Sequence, residues 1–126
     1  MSTRILIADD APFIREILKQ LLSDAGHKIV AEADTGRAVF DLVKKHKPEV
    51  VIMDLVMPGL NGLQATQQIL SKFPEIKIIA CSTLNQEDMI LKALQAGCCN
   101  YITKPFNEEQ VLKAVSSNNE GALKHG

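Results

Sequence analysis

Five short apolar runs alternate with five stretches of helical spacing along the whole chain, and few folds accommodate that pattern. The predicted strands are Arg4–Ala8, Lys28–Ala33, Glu49–Met53, Lys77–Cys81 and Asn100–Thr103. Runs such as Ile5-Leu6-Ile7-Ala8 and Val50-Val51-Ile52-Met53 are continuously apolar, as parallel strands covered on both faces should be. Between them, Ile14, Ile17, Leu18, Leu21 and Ala25 recur at 3.6-residue spacing, with Pro12 suited to the first turn and Gly26 to the end. Val39, Leu42, Val43 and His46 mark a second helix before Lys47-Pro48. Leu63, Thr66, Ile69, Leu70 and Phe73 mark a third, stopped by Pro74. Met89, Ile90, Ala93 and Leu94 mark a fourth, closed by Gly97, and Val111, Leu112 and Val115 mark a fifth.

Five βα units in a row predict an α/β protein: a doubly wound, five-stranded parallel sheet with right-handed crossovers and five helices on its two faces. The expected strand order is 2-1-3-4-5, as in flavodoxin-like folds; the pattern alone dictates the alternation, not the order. The 126 residues suit one domain, read as residues 1–120, followed by a flexible polar tail at 121–126. A net charge of −1 argues against a bulk nucleic-acid or anionic-membrane binder. No apolar stretch reaches the roughly 18 residues a span requires, and no signal-peptide pattern opens the chain, so a cytoplasmic location is the expectation.

Cys81, Cys98 and Cys99 form no C-x-x-C pair and read as small core residues. His27, His46 and His125 lack ligand spacing and read as surface residues.

The chemistry lies where the strands end. Asp9-Asp10, Asp54 and Lys104-Pro105 each follow an apolar run directly. In open α/β sheets ligands bind at that edge. Alone, Asp9 and Asp10 read equally as a cap for the Pro12 helix and as metal ligands. Asp54, at the end of the strand expected next door, favours metal. Two carboxylates about 5 Å apart repel by roughly 3 kcal/mol at an effective dielectric of about 20. A hard divalent cation removes that cost, and Mg²⁺ suits an oxygen site shared with a phosphate. The Leu55–Gly59 loop can add a backbone carbonyl. Lys104 supplies positive charge, with Pro105 fixing a turn that can use a cis bond. Ser82 and Thr83 place a hydroxyl at the same edge.

These residues together resemble the receiver domain of two-component response regulators. The resemblance rests on Asp9-Asp10, on Asp54 with Met57-Pro58 and Gly62, on Ser82-Thr83, and on Lys104-Pro105-Phe106. It runs from about Arg4 to Val115 and is closest to the CheY-like single-domain members. It implies that Asp54 is the phospho-acceptor. Asp10 is then the direct Mg²⁺ ligand, Asp9 the acid acting through a metal-bound water, and the Val56 carbonyl a backbone ligand. Ser82 falls at the switch hydroxyl, Tyr101 at the aromatic switch position, and Lys104 at the lysine that pairs with the phosphoryl group.

The resemblance further implies a signalling switch rather than an enzyme with its own substrate. A histidine kinase or phosphotransfer protein supplies the phosphoryl group. The surface of the fourth helix, fifth strand and fifth helix is read by a downstream effector, such as a flagellar switch protein. Gln86, Asp88, Gln95, Tyr101, Asn107 and Gln110 are the expected exposed residues there. The chain is expected to be a monomer or a phosphorylation-dependent dimer, with no nucleic-acid or membrane partner. The alternative is the N-terminal receiver of a larger regulator with an enzymatic or other output domain. Three positions depart from common members: Val56 and Leu84 are apolar along the expected path of attacking water, which predicts slow self-dephosphorylation, and Leu60-Asn61-Gly62 lacks an acid before the glycine.

Overall fold

In the computed structural model, residues 2–59 and 61–117 are described. The expected tail, 121–126, lies outside them, as does His125. The elements run β1 (Arg4–Ala8), α1 (Pro12–Asp24), β2 (Lys28–Ala33), α2 (Gly36–His46), β3 (Val50–Met53), α3 (Gly62–Lys72), β4 (Lys77–Ser82), α4 (Glu87–Ala96), β5 (Asn100–Thr103) and α5 (Glu108–Ser116). All strands are parallel, and the order is β2-β1-β3-β4-β5. Chain order therefore reverses direction beside β1, and ligands of such sheets bind where that happens.

The two-residue period of the strands divides the core in two. Leu6, Ala8, Val51, Met53, Ile78 and Ala80 meet α2, α3 and α4 through Val39, Val43, Ile69 and Ala93. Ile5, Ile7, Ile52, Ile79, Cys81 and Ile102 meet α1 and α5 through Leu18, Leu22, Val111 and Val115. Each fully buried Ile, Leu or Val contributes about 1.5–3 kcal/mol, so both layers hold the central strands rigidly. That rigidity fixes the residues at the strand ends.

Helix ends follow local chemistry. Thr35, Asn61 and Asn107 cap α2, α3 and α5 by accepting from backbone N–H groups, and Asn107 with Gln110 forms a reciprocal capping box. Asn61, the residue before Gly62, therefore does at the start of α3 what an acid there could also do. Gly97 ends α4 at φ +116°, a left-handed conformation that side chains disfavour.

Several expectations need correction. Glu49 lies outside β3 and Ser82 inside β4. Ala25 is exposed, because the helix has already ended at Asp24. Neither Asp9 nor Asp10 caps α1; the N-cap is Ala11, with Pro12 opening the helix. His27 and His46 are half-buried rather than on the open surface, and the His27 ring accepts from the Thr3 N–H at 3.2 Å. The cysteines, by contrast, are core residues as expected: all three are buried, and burial pushes the Cys81 thiol to about 12 and the Cys98 thiol to about 11. No helix among the described residues is long and apolar enough to cross a membrane.

Candidate functional site

Three site residues are each the first residue beyond a strand, and each is still tethered by a backbone bond to the neighbouring strand. The Asp9 N–H donates to the Ala33 carbonyl (2.9 Å), Asp54 N–H to Ala8 (2.8 Å), and Lys104 N–H to Ser82 (2.8 Å). The ladder therefore aligns the ends of β1, β3 and β5, and their side chains meet above the sheet edge.

Lys104 joins them. Its Nζ donates to Asp9 Oδ2 at 2.7 Å and to Asp54 Oδ2 at 3.1 Å. The three side chains are only 13%, 2% and 8% exposed respectively, so these are desolvated charges rather than a surface ion pair. The remaining carboxylate oxygens take backbone donors: Asp9 Oδ1 from Ala11 N–H and Asp54 Oδ1 from Val56 N–H, both at 2.9 Å. Arg15 also donates to the Asp9 backbone carbonyl at 2.7 Å. The Lys104–Pro105 peptide is cis.

The charges respond unequally to this burial. Burial lifts the Asp54 carboxyl above its ordinary pKa, and the Val56 N–H and Lys104 offset it only in part. Burial opposes the Lys104 charge too, but hydrogen bonds to Asp9 and Asp54 and their negative charge raise its pKa overall. One ammonium thus serves two carboxylates and leaves Asp54 short of positive charge.

Asp9, Asp10 and Asp54 each offer an oxygen within 4.8 Å of the others. Asp10 is exposed while the other two are buried. A set of hard anionic oxygens, under-compensated and open on one side, fits a divalent cation that keeps waters and shares a phosphate. The loop beyond Asp54 is held by a close approach: a Cβ on Gly62 would lie 2.5 Å from the Leu55 Cα, so only glycine lets α3 start there. In that loop Val56 is 55% exposed and Met57 is buried.

Ser82 is fully buried at the end of β4, and its Oγ accepts from the Leu84 N–H at 3.1 Å. Tyr101, half-buried on β5, donates its hydroxyl to the Leu84 carbonyl. Burial raises the Tyr101 pKa, which favours the neutral donor. The expected cluster is thus assembled: Asp9, Asp10, Asp54 and Lys104 lie in one patch, with Ser82 at the neighbouring strand end and Tyr101 linked to it through Leu84. Sequence reasoning treated Leu84 only as an apolar side chain and missed its backbone role. A carbonyl acceptor has no residue-type signature, so no sequence signal exists for it.

Known proteins share the sequence and the fold of this chain. The family model for the response regulator receiver domain covers residues 5–116. The chemotaxis protein CheY of Thermotoga maritima is 40% identical over 116 residues, 92% of this chain and 97% of that protein. The Bacillus subtilis chemotaxis protein CheY shows the same identity and coverage. Among solved structures, the Borrelia burgdorferi CheX–CheY–BeF₃–Mg complex superposes with a TM-score of 0.87 at 27% identity, covering 90% of this chain and 86% of that one.

Proposed function

The chain belongs to the response regulator receiver family, and on that premise we propose that it is a CheY-like phospho-accepting switch whose acceptor is Asp54. The observation that carries this reading is the buried Asp9–Lys104–Asp54 cluster, in which the ammonium bridges two carboxylates at 2.7 and 3.1 Å.

Asp54 Oδ attacks phosphorus of a phosphorylated imidazole on a histidine kinase or phosphotransfer protein. An O–P bond forms, the N–P bond breaks, and the imidazole leaves with the electron pair. Asp9, Asp10, Asp54 and the Val56 carbonyl would hold Mg²⁺, which would supply the positive charge that the carboxylates and phosphoryl oxygens lack. Lys104 donates to a phosphoryl oxygen in the same step, so catalysis is mainly positioning and electrostatics already built into the edge. Water later hydrolyses the acyl phosphate. The protein acts only on its own Asp54, which makes it a switch.

The switch runs through Ser82 and Tyr101. A phosphoryl oxygen at Asp54 offers Ser82 a stronger acceptor than its present environment. Leu84 couples the two side chains: its N–H is bonded to Ser82 and its carbonyl to Tyr101. Movement of Ser82 therefore shifts the α4–β5–α5 face and biases the two packed states. Gln86, Asp88, Gln95, Asn107 and Gln110 are exposed there, and Tyr101 is half-buried. The similarity to CheY proteins over nearly their full length favours a chemotaxis-type effector, such as a flagellar switch protein, and a cytoplasmic setting.

Beryllofluoride, a tetrahedral stand-in for a phosphoryl group, tests this reading. With Mg²⁺ it should change amide chemical shifts at Ser82–Leu84, α4 and Tyr101 in the wild type. The Asp54→Asn variant should show no such change. Equal responses in the two proteins would contradict it.

A further inference from the structure

A cavity of about 600 Å³ opens at the end of the strands opposite Asp54, beside the first residues of β3 and β4. That volume suits a small organic ligand, and the lining mixes an apolar floor with a few polar groups, as ligand pockets do. Pro48, Val50, Phe73, Ile76 and Val115 form the floor. All but the half-buried Phe73 are buried.

Four charges surround that floor, two of each sign: Lys47 and Lys77, Glu49 and Glu75. Among the described residues, none of the four is within ion-pairing distance of another. Lys77 is the half-buried one; the other three are exposed. Its ammonium has three donors and gives one to the Ser117 carbonyl. Glu49 accepts the Arg4 N–H on Oε1. Opposite charges that share one cavity without meeting leave room for a ligand that carries both.

The backbone adds two further signals. Lys47, which closes α2 at φ +47°, is the one residue other than glycine in the left-handed region among the described residues. Glycine would adopt that conformation freely, and a residue before proline ordinarily extends. Strain of this kind concentrates where ligands are held. In addition, α2, α3 and α5 end at Lys47, Phe73 and Ser117, so three helix C-termini face this edge. Their partial negative charge adds to that of Glu49 and Glu75 and favours a ligand ammonium.

We propose that this cavity binds a small zwitterion with an apolar body, the chemistry of a free apolar α-amino acid. Its carboxylate takes the unused donors of Lys77, with Lys47 at the mouth. Its ammonium lies toward Glu49, Glu75 and the helix ends, and its side chain rests on Phe73, Ile76 and Val115. The site shares no residue with the Asp54 cluster and does not depend on the phospho-acceptor reading.

Amide chemical-shift titration of the full chain with three ligands of one aromatic body tests the proposal: phenylalanine, 3-phenylpropionate without the ammonium, and 2-phenylethylamine without the carboxylate. Phenylalanine should shift Val50, Ile76, Lys77 and Val115, and each single-charge analogue should bind about tenfold more weakly. Lys77→Met should abolish the advantage of phenylalanine over phenylethylamine. Glu49→Gln/Glu75→Gln, which keeps a carbonyl for the Arg4 N–H, should abolish its advantage over phenylpropionate. If Lys77→Met does not fold, the ligand series on the wild type decides alone. Equal binding of the three ligands, tighter binding of either analogue, or shifts confined to other residues would overturn the proposal. So would binding that appears only in Leu123→Ser, since the cavity would then belong to the chain's own terminus.

Discussion

The two edges of the same sheet use charge differently. At the edge where the strands begin, Arg4 donates its N–H to Glu49 Oε1 at 2.9 Å and its guanidinium to the His46 carbonyl. Lys77 donates to the Ser117 carbonyl at 2.5 Å. Those charges sit near water and are mostly held by fixed backbone groups. A cavity of about 600 Å³ lies there too, lined by Thr3, Lys47, Phe73, Ile76 and others. At the edge where the strands end, Asp9, Asp54 and Lys104 are desolvated and hold one another. Charges satisfied by backbone stitch a structure together. Charges satisfied by one another, and incompletely, can be rearranged by an incoming phosphoryl group.

That contrast breaks most sharply at the two lysines. Lys104→Ala leaves two buried carboxylates without their cation and should cost roughly 3 kcal/mol in metal-free buffer. Lys77→Ala should cost about 1 kcal/mol, the value of one hydrogen bond to a backbone carbonyl. Urea midpoints of the two variants check the difference, and equal losses would erase it. Added Mg²⁺ should recover part of the Lys104→Ala loss and none of the Lys77→Ala loss.

The pH dependence of Asp54 sharpens the same point. Burial raises its pKa above the ordinary 3.8, so the folded state binds the Asp54 proton more tightly than the unfolded chain does. The ionised form therefore weakens the fold at neutral pH, and this penalty vanishes as pH falls through the raised pKa and below 3.8. Asp54→Asn should stabilise the metal-free protein at pH 7 and be neutral at acid pH. A stabilisation independent of pH would assign the effect to packing instead.

The fold was legible because apolar periodicity survives into structure: Ile5 to Ala8, Val50 to Met53 and Lys77 to Cys81 are strands as the pattern requires. Strand ends were not. Glu49 and Ser82 moved across their boundaries because ladder pairing, not side-chain polarity, sets where β3 and β4 stop. The acids and Lys104 were legible because the site needs those functional groups at strand ends. Their meeting at one edge was legible too, but the direct bond from Lys104 to Asp9, 95 residues away in sequence, was not, since only the detailed geometry selects that oxygen. The Tyr101–Leu84 bond was invisible for a different reason, because its acceptor is backbone.

Two smaller effects separate water access from switching. Val56 is exposed beside Asp54 and Leu84 is half-buried beyond Ser82, and neither side chain can orient water. Val56→Asn with Leu84→Glu should shorten the acyl-phosphate lifetime by roughly tenfold; an unchanged lifetime would free those positions of that role. Tyr101→Phe removes one hydrogen bond and should cost about 1 kcal/mol in stability, while leaving phosphate uptake at Asp54 untouched. Thermal unfolding and phosphate incorporation measured on the same sample would show both.

The central claim is that the strand-end cluster accepts a phosphoryl group on Asp54 with a divalent cation. Intact-protein mass spectrometry after incubation with a small phosphodonor, with and without Mg²⁺, tests it directly on wild type and Asp54→Asn. The account predicts a single phosphate adduct that requires both Mg²⁺ and Asp54. An adduct on Asp54→Asn, or none on folded wild type under conditions that modify another receiver, would contradict it.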